Sequence, residues 1–118
     1  MRTIKFRAWN KDDNEPMFDP FETGLRFGTI LHAPSVEIMQ FTGLTDKNGV
    51  EIYEGDVVKD LIREYTVVYD LRRAKFHLQF NHLDVEDGIQ QTHTDFHVDA
   101  MYIRVIGNVH ENPELIQH

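Results

Sequence analysis

Cysteine is absent from this chain of 118 residues, and serine occurs once, at Ser35. The missing thiols exclude disulfides and cysteine nucleophiles, and they favour a reducing, cytosolic compartment. Residues 33–37 around Ser35 lack the turn that exposes and activates a serine nucleophile. No apolar run approaches the roughly 18 residues that cross a bilayer, and residues 1–10 lack the apolar region of a secretion signal. We therefore expect a soluble cytoplasmic protein.

Basic residues are also scarce, since 12 Lys and Arg face 20 Asp and Glu, which gives a net charge of −8. Such a charge argues against a protein whose main role is to bind nucleic acid. Residues 81–103 contain five acidic residues and no Lys or Arg, whereas residues 2–11 and 59–75 each contain a basic cluster. A local basic face is compatible with this distribution, although charge runs are usually solvated surface.

The hydrophobic residues alternate with a period of two, which predicts β-strands. The alternation is clearest in residues 74–81, and residues 64–70 are apolar on both faces, as in a central strand. Further strands are predicted at 4–9, 36–41, 56–62 and 101–109, and Gly107 indicates a bulge or a close approach of two backbones. Loops are predicted at 10–16 and 69–75, and residues 83–97 are either a long loop or a mixed short element. Asn112 and Pro113 suit the N-cap and first position of a short terminal helix.

These elements predict one domain over residues 1–118, with a mainly β, small barrel-like architecture and a short C-terminal helical turn. The segment 52–58, "IYEGDVV", resembles the entry to a strand in SH3-like barrels, in which Gly55 would supply the tight turn. Asp46 can accept hydrogen bonds from loop amides, and Asn48 and Gly49 tolerate positive φ. Four apolar residues are predicted to anchor this loop to the core: Phe41, Leu44, Ile52 and Tyr53.

Histidines supply one candidate site, because His93 and His97 are four residues apart with Asp95 between them. These three residues would share a face on a strand, and imidazole and carboxylate groups bind zinc or iron. The segment does not match the HExxH motif, however, and a third ligand from elsewhere is not evident. The alternative is a set of exposed histidines in an acidic segment.

The carboxylates of Glu51, Glu54 and Asp56 beside Tyr53 are a second candidate, since paired carboxylates can divide acid and base roles. Their position around a turn favours instead solvent exposure and hydrogen bonds to loop amides. The chain has no P-loop and no dinucleotide-binding fingerprint, so we expect no cofactor.

A nucleic-acid surface is the third candidate. Aromatic and basic side chains on one sheet face are typical of proteins that bind single strands. The residues that could form it are Arg7, Trp9, Arg72, Arg73, Lys75 and His77. The alternative, favoured by the net charge, is that Trp9 covers an edge of the core while the basic residues are solvated.

Three segments together resemble the YopX family of small proteins encoded mainly by bacteriophages and prophages. They are "IKFRAWN" at 4–10, "QFTGLTDKNGVEIYEGDVV" at 40–58 and "VIGNVHENPELI" at 105–116. The resemblance implies a β-rich, barrel-like protein in the cytoplasm of a bacterial host cell. No biochemical activity is established for the family, so the resemblance assigns no catalytic residue.

Our first hypothesis is therefore a non-enzymatic phage or prophage accessory protein that binds a host or phage protein. A nucleic-acid-binding barrel that uses Arg7, Trp9 and residues 72–75 is the second hypothesis. A metal-dependent enzyme that uses His93, Asp95 and His97 is the third. Exposed strand edges also favour a homo-oligomer.

Overall fold

The structure, a computed structural model, describes residues 3–12, 16–21, 33–81, 93–95 and 102–116, with the backbone alone for 93–95. The described strands are β1 (Phe6–Asn10), β2 (Val36–Thr45), β3 (Glu51–Tyr53), β4 (Asp56–Lys59), β5 (Glu64–Asp70), β6 (Lys75–Phe80), β7 (His93–Asp95) and β8 (Arg104–Asn108). A 3-10 turn, Pro113–Ile116, follows β8. The mainly β prediction is confirmed, and so is the short helical turn that begins at Pro113. None of the helical residues in these ranges forms a segment long and apolar enough to span a membrane.

The strands form two antiparallel sheets, with the orders β1-β2-β3 and β7-β6-β5-β4-β8. This open arrangement is compatible with a barrel-like fold. β5 is central in the larger sheet, as its two apolar faces predict. Tyr65 and Val67 of β5 face Phe80 and Leu78 of β6, and these residues belong to one core cluster. Ile52 of β3 is fully buried in the same cluster, so the core joins the two sheets.

Gly55 forms the corner between β3 and β4. Its φ of +88° lies in the left-handed region, which side chains rarely adopt. Its N–H donates to the carbonyl of Val67 at 2.8 Å, and its carbonyl accepts from the N–H of Val109 at 2.9 Å. The backbone at Gly55 thus bonds both to β5 and to the segment that follows β8.

The carboxyl-terminal segment packs closely against β8. The register between β4 and β8 shifts between Val57 and Val58, which is the irregularity expected near Gly107. A Cβ atom at Gly107 would lie 2.6 Å from Oδ1 of Asn112. Gly107 therefore marks both a bulge and a close approach.

Two local predictions are wrong. The strand predicted over 56–62 ends at Lys59, because Asp60 starts a turn in which its Oδ1 accepts from the N–H groups of Ile62 and Arg63. Leu44 was expected to anchor the central loop but is exposed, whereas Phe41 and Ile52 are buried.

Candidate functional site

Asp46 organises the loop between β2 and β3, and its side chain is only 6% exposed. Its Oδ1 accepts from the N–H groups of Asn48 at 2.8 Å and Val50 at 2.9 Å, and Oδ2 accepts from the N–H of Val105 in β8 at 2.9 Å. Burial raises the pKa of Asp46, but these backbone hydrogen bonds outweigh burial and leave the pKa below its usual value. Gly49 has a φ of +81° in the same turn. This loop is therefore held by an ionised carboxylate that also bonds to β8.

A buried ion pair joins β1 to β4. Nη2 of Arg7 lies 2.7 Å from Oδ1 of Asp56, and the N–H of Tyr53 donates to Oδ2 of Asp56 at 2.8 Å. The guanidinium of Arg7 also lies over the Tyr53 ring, 4.8 Å from its centroid. Burial raises the pKa of Asp56, while the charge of Arg7 opposes that shift. The exposure expected for the carboxylates of 51–56 is wrong for Asp56, which is 1% exposed.

Glu54 has a different environment from Asp56, although both side chains accept backbone hydrogen bonds. Its Oε1 accepts from the N–H of Gln40 at 3.2 Å. Burial raises the pKa of Glu54, and the Gln40 hydrogen bond opposes this shift. Glu51 instead forms a surface ion pair with Lys5 at 2.6 Å. The three carboxylates considered for acid–base chemistry thus have three different sets of partners.

Trp9 is half-buried, and its ring stacks on that of His110, with centroids 5.7 Å apart and planes at 16°. Nε2 of His110 lies 3.3 Å from Oε2 of Glu37, within ion-pair distance but without hydrogen-bond geometry. Burial lowers the pKa of His110, although Glu37 opposes this shift. One face of the Trp9 ring is therefore covered by a residue from the segment that follows β8.

The residues proposed for a nucleic-acid surface are divided between the two sheets. Arg7 and Trp9 lie on β1, where they make the internal contacts described above. Arg72 and Arg73 lie in the turn between β5 and β6, and Lys75 is the first residue of β6. These last three residues are exposed, whereas His77 is buried, with Nδ1 3.5 Å from Oδ2 of Asp70.

The residues proposed for a metal site are described only in part. His93 and Asp95 lie at the two ends of β7, and the register makes Asp95 the Cα partner of His77 and His93 the partner of Gln79. His97 lies outside the described residues. Across the described ranges, no group of three or more His, Asp or Glu side chains is arranged to hold a metal ion.

An open concavity with exposed apolar side chains lies beside the turn between β4 and β5. It has a volume of about 240 Å³ and is lined by Asp60, Leu61, Ile62 and Tyr102. Leu61 is 80% exposed, Ile62 is 84% exposed and Tyr102 is 49% exposed. Exposed apolar groups that surround a concavity are typical of interaction sites. We therefore take this concavity, defined by residues 60–62 and 102, as the candidate functional site.

A family model described as YopX protein matches residues 22–117 of the chain. The chain belongs to the YopX family. No curated protein matches the chain. A solved structure that resembles this YopX-family protein is the crystal structure of protein EF1440 from Enterococcus faecalis. It is 28% identical, with a TM-score of 0.62, and the comparison covers 99% of this chain and 100% of that one.

The candidate site of this YopX-family protein was not found from the sequence. The sequence predicts that Leu61 and Ile62 end one strand and that Tyr102 lies within another. One signal was present, because two consecutive apolar residues after Asp60 break the alternation that a half-buried strand requires. An aspartate followed by a turn is also a common way to end a strand, since its side chain can bond to the next amides. The resemblance to the YopX family rested on other segments and did not indicate this position.

Proposed function

We propose that this YopX-family chain is a non-enzymatic accessory protein of phage or prophage origin, which acts in the cytoplasm of a bacterial host by binding another protein. The observation that supports this proposal is the apolar concavity beside the β4–β5 turn. Leu61 and Ile62 present their side chains almost fully to water, where burial against a partner would be favourable by roughly 25 cal/mol per Å² of apolar surface. The turn itself is held by Asp60.

The size of the concavity favours a protein partner over a small molecule. Small-molecule sites are usually enclosed clefts of roughly 300–1,000 Å³ that bury most of the ligand. The concavity here measures about 240 Å³ and lies beside exposed side chains of a turn. It can accept one or two side chains of a larger partner, whose remaining surface would cover Leu61 and Ile62.

The buried carboxylates support the same proposal. Asp46 and Asp56 are buried and bond to backbone amides, and Asp56 also pairs with Arg7. These bonds give both groups a structural role. The exposed surface, rather than this polar interior, is then the part of the described chain that a partner can reach.

The test is site-specific photocrosslinking. A photoreactive amino acid replaces Ile62 in the full chain, and a control protein carries it at Leu71, which is 86% exposed in the β5–β6 turn. Both proteins are irradiated in a bacterial lysate, and crosslinked proteins are identified by mass spectrometry. We expect a discrete adduct from position 62 that is absent from position 71 and weakened by Leu61→Ser. Equal adducts from both positions, or none from position 62, would contradict a binding site at this turn.

A further inference from the structure

The turn that carries Leu61 and Ile62 is fixed before any partner arrives. Oδ1 of Asp60 accepts from the N–H of Ile62 at 2.8 Å and from that of Arg63 at 2.7 Å, and the N–H of Asp60 donates to the carbonyl of Arg63 at 3.1 Å. The hydroxyl of Tyr65 donates to Oδ2 of Asp60 at 2.8 Å. Both carboxylate oxygens are thus engaged inside the protein. A turn held in this way loses little conformational freedom on binding, which favours affinity.

Basic residues stand close in the sequence to the residues that line the concavity. Lys59 precedes Asp60 in the chain, Arg63 follows Ile62, and Arg104 is two residues after Tyr102. Lys59 and Arg63 are each next to a lining residue, at a Cα–Cα distance of about 3.8 Å. The guanidinium of Arg63 lies over the Phe80 ring, 5.3 Å from its centroid. Lys59 and Arg104 are also direct Cα partners across β4 and β8.

The pairing of Lys59 with Arg104 brings two like charges together. Directly opposite residues of an antiparallel pair have Cβ atoms about 4.5–5.5 Å apart, and like charges there are unfavourable. On the opposite edge of β4, Glu64 of β5 is the Cα partner of Lys59. In the described part of the chain, neither Lys59 nor Arg104 makes a salt bridge. An incoming carboxylate would relieve this repulsion.

A group of basic residues at this site is unusual for a molecule with a net charge of −8. Around the concavity, Lys59, Arg63 and Arg104 outnumber the two carboxylates Asp60 and Glu64. Residues 59–64 and 102–104 together carry a formal charge of +1, since three positive charges oppose two negative ones. The apolar lining and its basic border together provide a specific complement for an acidic apolar surface.

We propose that the partner presents an acidic apolar segment to this site, with one or two apolar side chains in the concavity and carboxylates beside Lys59 and Arg104. This inference rests on the proposed function and adds the chemistry of the partner. The apolar side chains supply the buried area, whereas the carboxylates determine which segments bind.

A peptide selection separates this inference from the proposed function. A random peptide library is selected on the immobilised full chain, and peptides that also bind a Leu61→Ser/Ile62→Ser double variant are removed. We expect the remaining peptides to carry apolar residues and an excess of Asp and Glu over the starting library. Peptides that require Leu61 and Ile62 but show no acidic excess would overturn the inference and leave the proposed function intact. If no peptide requires these side chains, both proposals fail.

Charge variants then test the position of the carboxylates. Binding of the selected peptides is measured by fluorescence anisotropy against the parent, Lys59→Gln/Arg104→Gln and the control Arg72→Gln/Arg73→Gln. Both double variants lose two positive charges, but the control residues lie in the β5–β6 turn. We expect the first to weaken binding about three- to tenfold, with reduced dependence on salt, and the control to weaken it less than about twofold. Equal losses in both would show attraction by overall charge and overturn the proposed contact.

A polyanion is the competing class of partner. A labelled single-stranded oligonucleotide is titrated under the same conditions and against the same variants. We expect it to bind more weakly than the selected peptides and to be insensitive to Leu61→Ser/Ile62→Ser. An oligonucleotide that displaces these peptides at comparable concentration, and that requires Lys59 and Arg104, would assign the surface to nucleic acid and overturn the inference.

Discussion

Replacing Arg7 by methionine removes the guanidinium that pairs with the buried Asp56 carboxylate, while the unbranched side chain can still pack on Tyr53. Asp56 then keeps the N–H of Tyr53 but loses the charged donor that lies 2.7 Å away. Loss of one partner of a buried ion pair typically costs about 3–5 kcal/mol. The Arg7 side chain remains 16% exposed, so water reaches the pair from one side. We therefore expect the lower end of that range, about 3 kcal/mol at neutral pH.

The loss of stability in Arg7→Met should depend on pH, and the direction of this dependence follows from the pKa of Asp56. Burial raises the pKa of Asp56, and the charge of Arg7 opposes this shift, so removal of Arg7 raises the folded-state pKa further. A carboxyl group with a raised folded-state pKa contributes stability below its unfolded pKa and loses it as the pH rises through the folded pKa. The deficit of Arg7→Met relative to the parent should therefore be largest near neutral pH and should shrink as the pH is lowered towards the unfolded pKa.

Urea denaturation, monitored by the fluorescence of Trp9, measures both the loss of stability and its dependence on pH. In the double variant Arg7→Met/Asp56→Asn, the uncompensated charge is absent, so part of the lost stability should return. The difference in stability between this double variant and Asp56→Asn should lack the pH dependence, because neither protein has a carboxyl group at position 56. Lys5→Met is the matched control, because the Lys5–Glu51 pair lies at the surface, and we expect no measurable change from it. A deficit for Arg7→Met below about 1 kcal/mol, or one that is independent of pH, would refute the assigned role of the pair.

Substitutions in the loops and beside the segment that follows β8 should also lower stability. Asp46→Ala should destabilise the fold by about 2–3 kcal/mol in urea denaturation, because it removes the acceptor of three backbone N–H groups. The parent's stability should fall as acidification passes through the lowered pKa of Asp46, and this component should be absent from Asp46→Ala. Gly107→Ala should lower the melting temperature, because its Cβ atom would lie 2.6 Å from Oδ1 of Asn112 and overpacking costs about 1–3 kcal/mol. Gly49→Val and Gly55→Val should each cost more than about 1 kcal/mol through positive φ, whereas Gly49→Asn, in thermal denaturation, should resemble the parent.

The sequence predicted the strands whose patterns are local. Residues 64–70 form β5 with the predicted bounds, because β-branched and aromatic residues fill both faces of a central strand. The terminal turn begins at Pro113 as expected. Asn112 differs in detail, since its side chain accepts from the N–H of Asn108 at 3.3 Å instead of capping its own turn. Hydrogen bonds of this kind depend on how the chain folds back on itself, and the neighbouring residues in the sequence do not predict them.

The burial of Asp56 was missed for the same reason. A carboxylate within a glycine-containing turn predicts exposure, but Arg7 is 49 residues away and reaches Asp56 only because β1 and β4 are brought together. The contact between Trp9 and His110 spans almost the whole chain and was likewise not predicted. Leu61 and Ile62 illustrate the opposite error, because apolar residues were assumed to be buried. Their exposure follows from the turn that Asp60 forms after only four residues of β4.

The segments that resemble the YopX family contact one another in the structure, and this explains their joint occurrence in physical terms. Arg7 belongs to the first segment, Asp46 and Asp56 to the second, and Val105 to the third, and their bonds connect all three. The candidate site at 60–62 lies outside these segments, so its substitution should separate binding from stability. Because Leu61 and Ile62 are at least 80% exposed, Leu61→Ser and Ile62→Ser should change stability by no more than about 0.5 kcal/mol while they weaken binding at this site. Asp56→Ala should instead cost about 3–5 kcal/mol of stability. A destabilised Ile62→Ser variant would show that the turn belongs to the structural core.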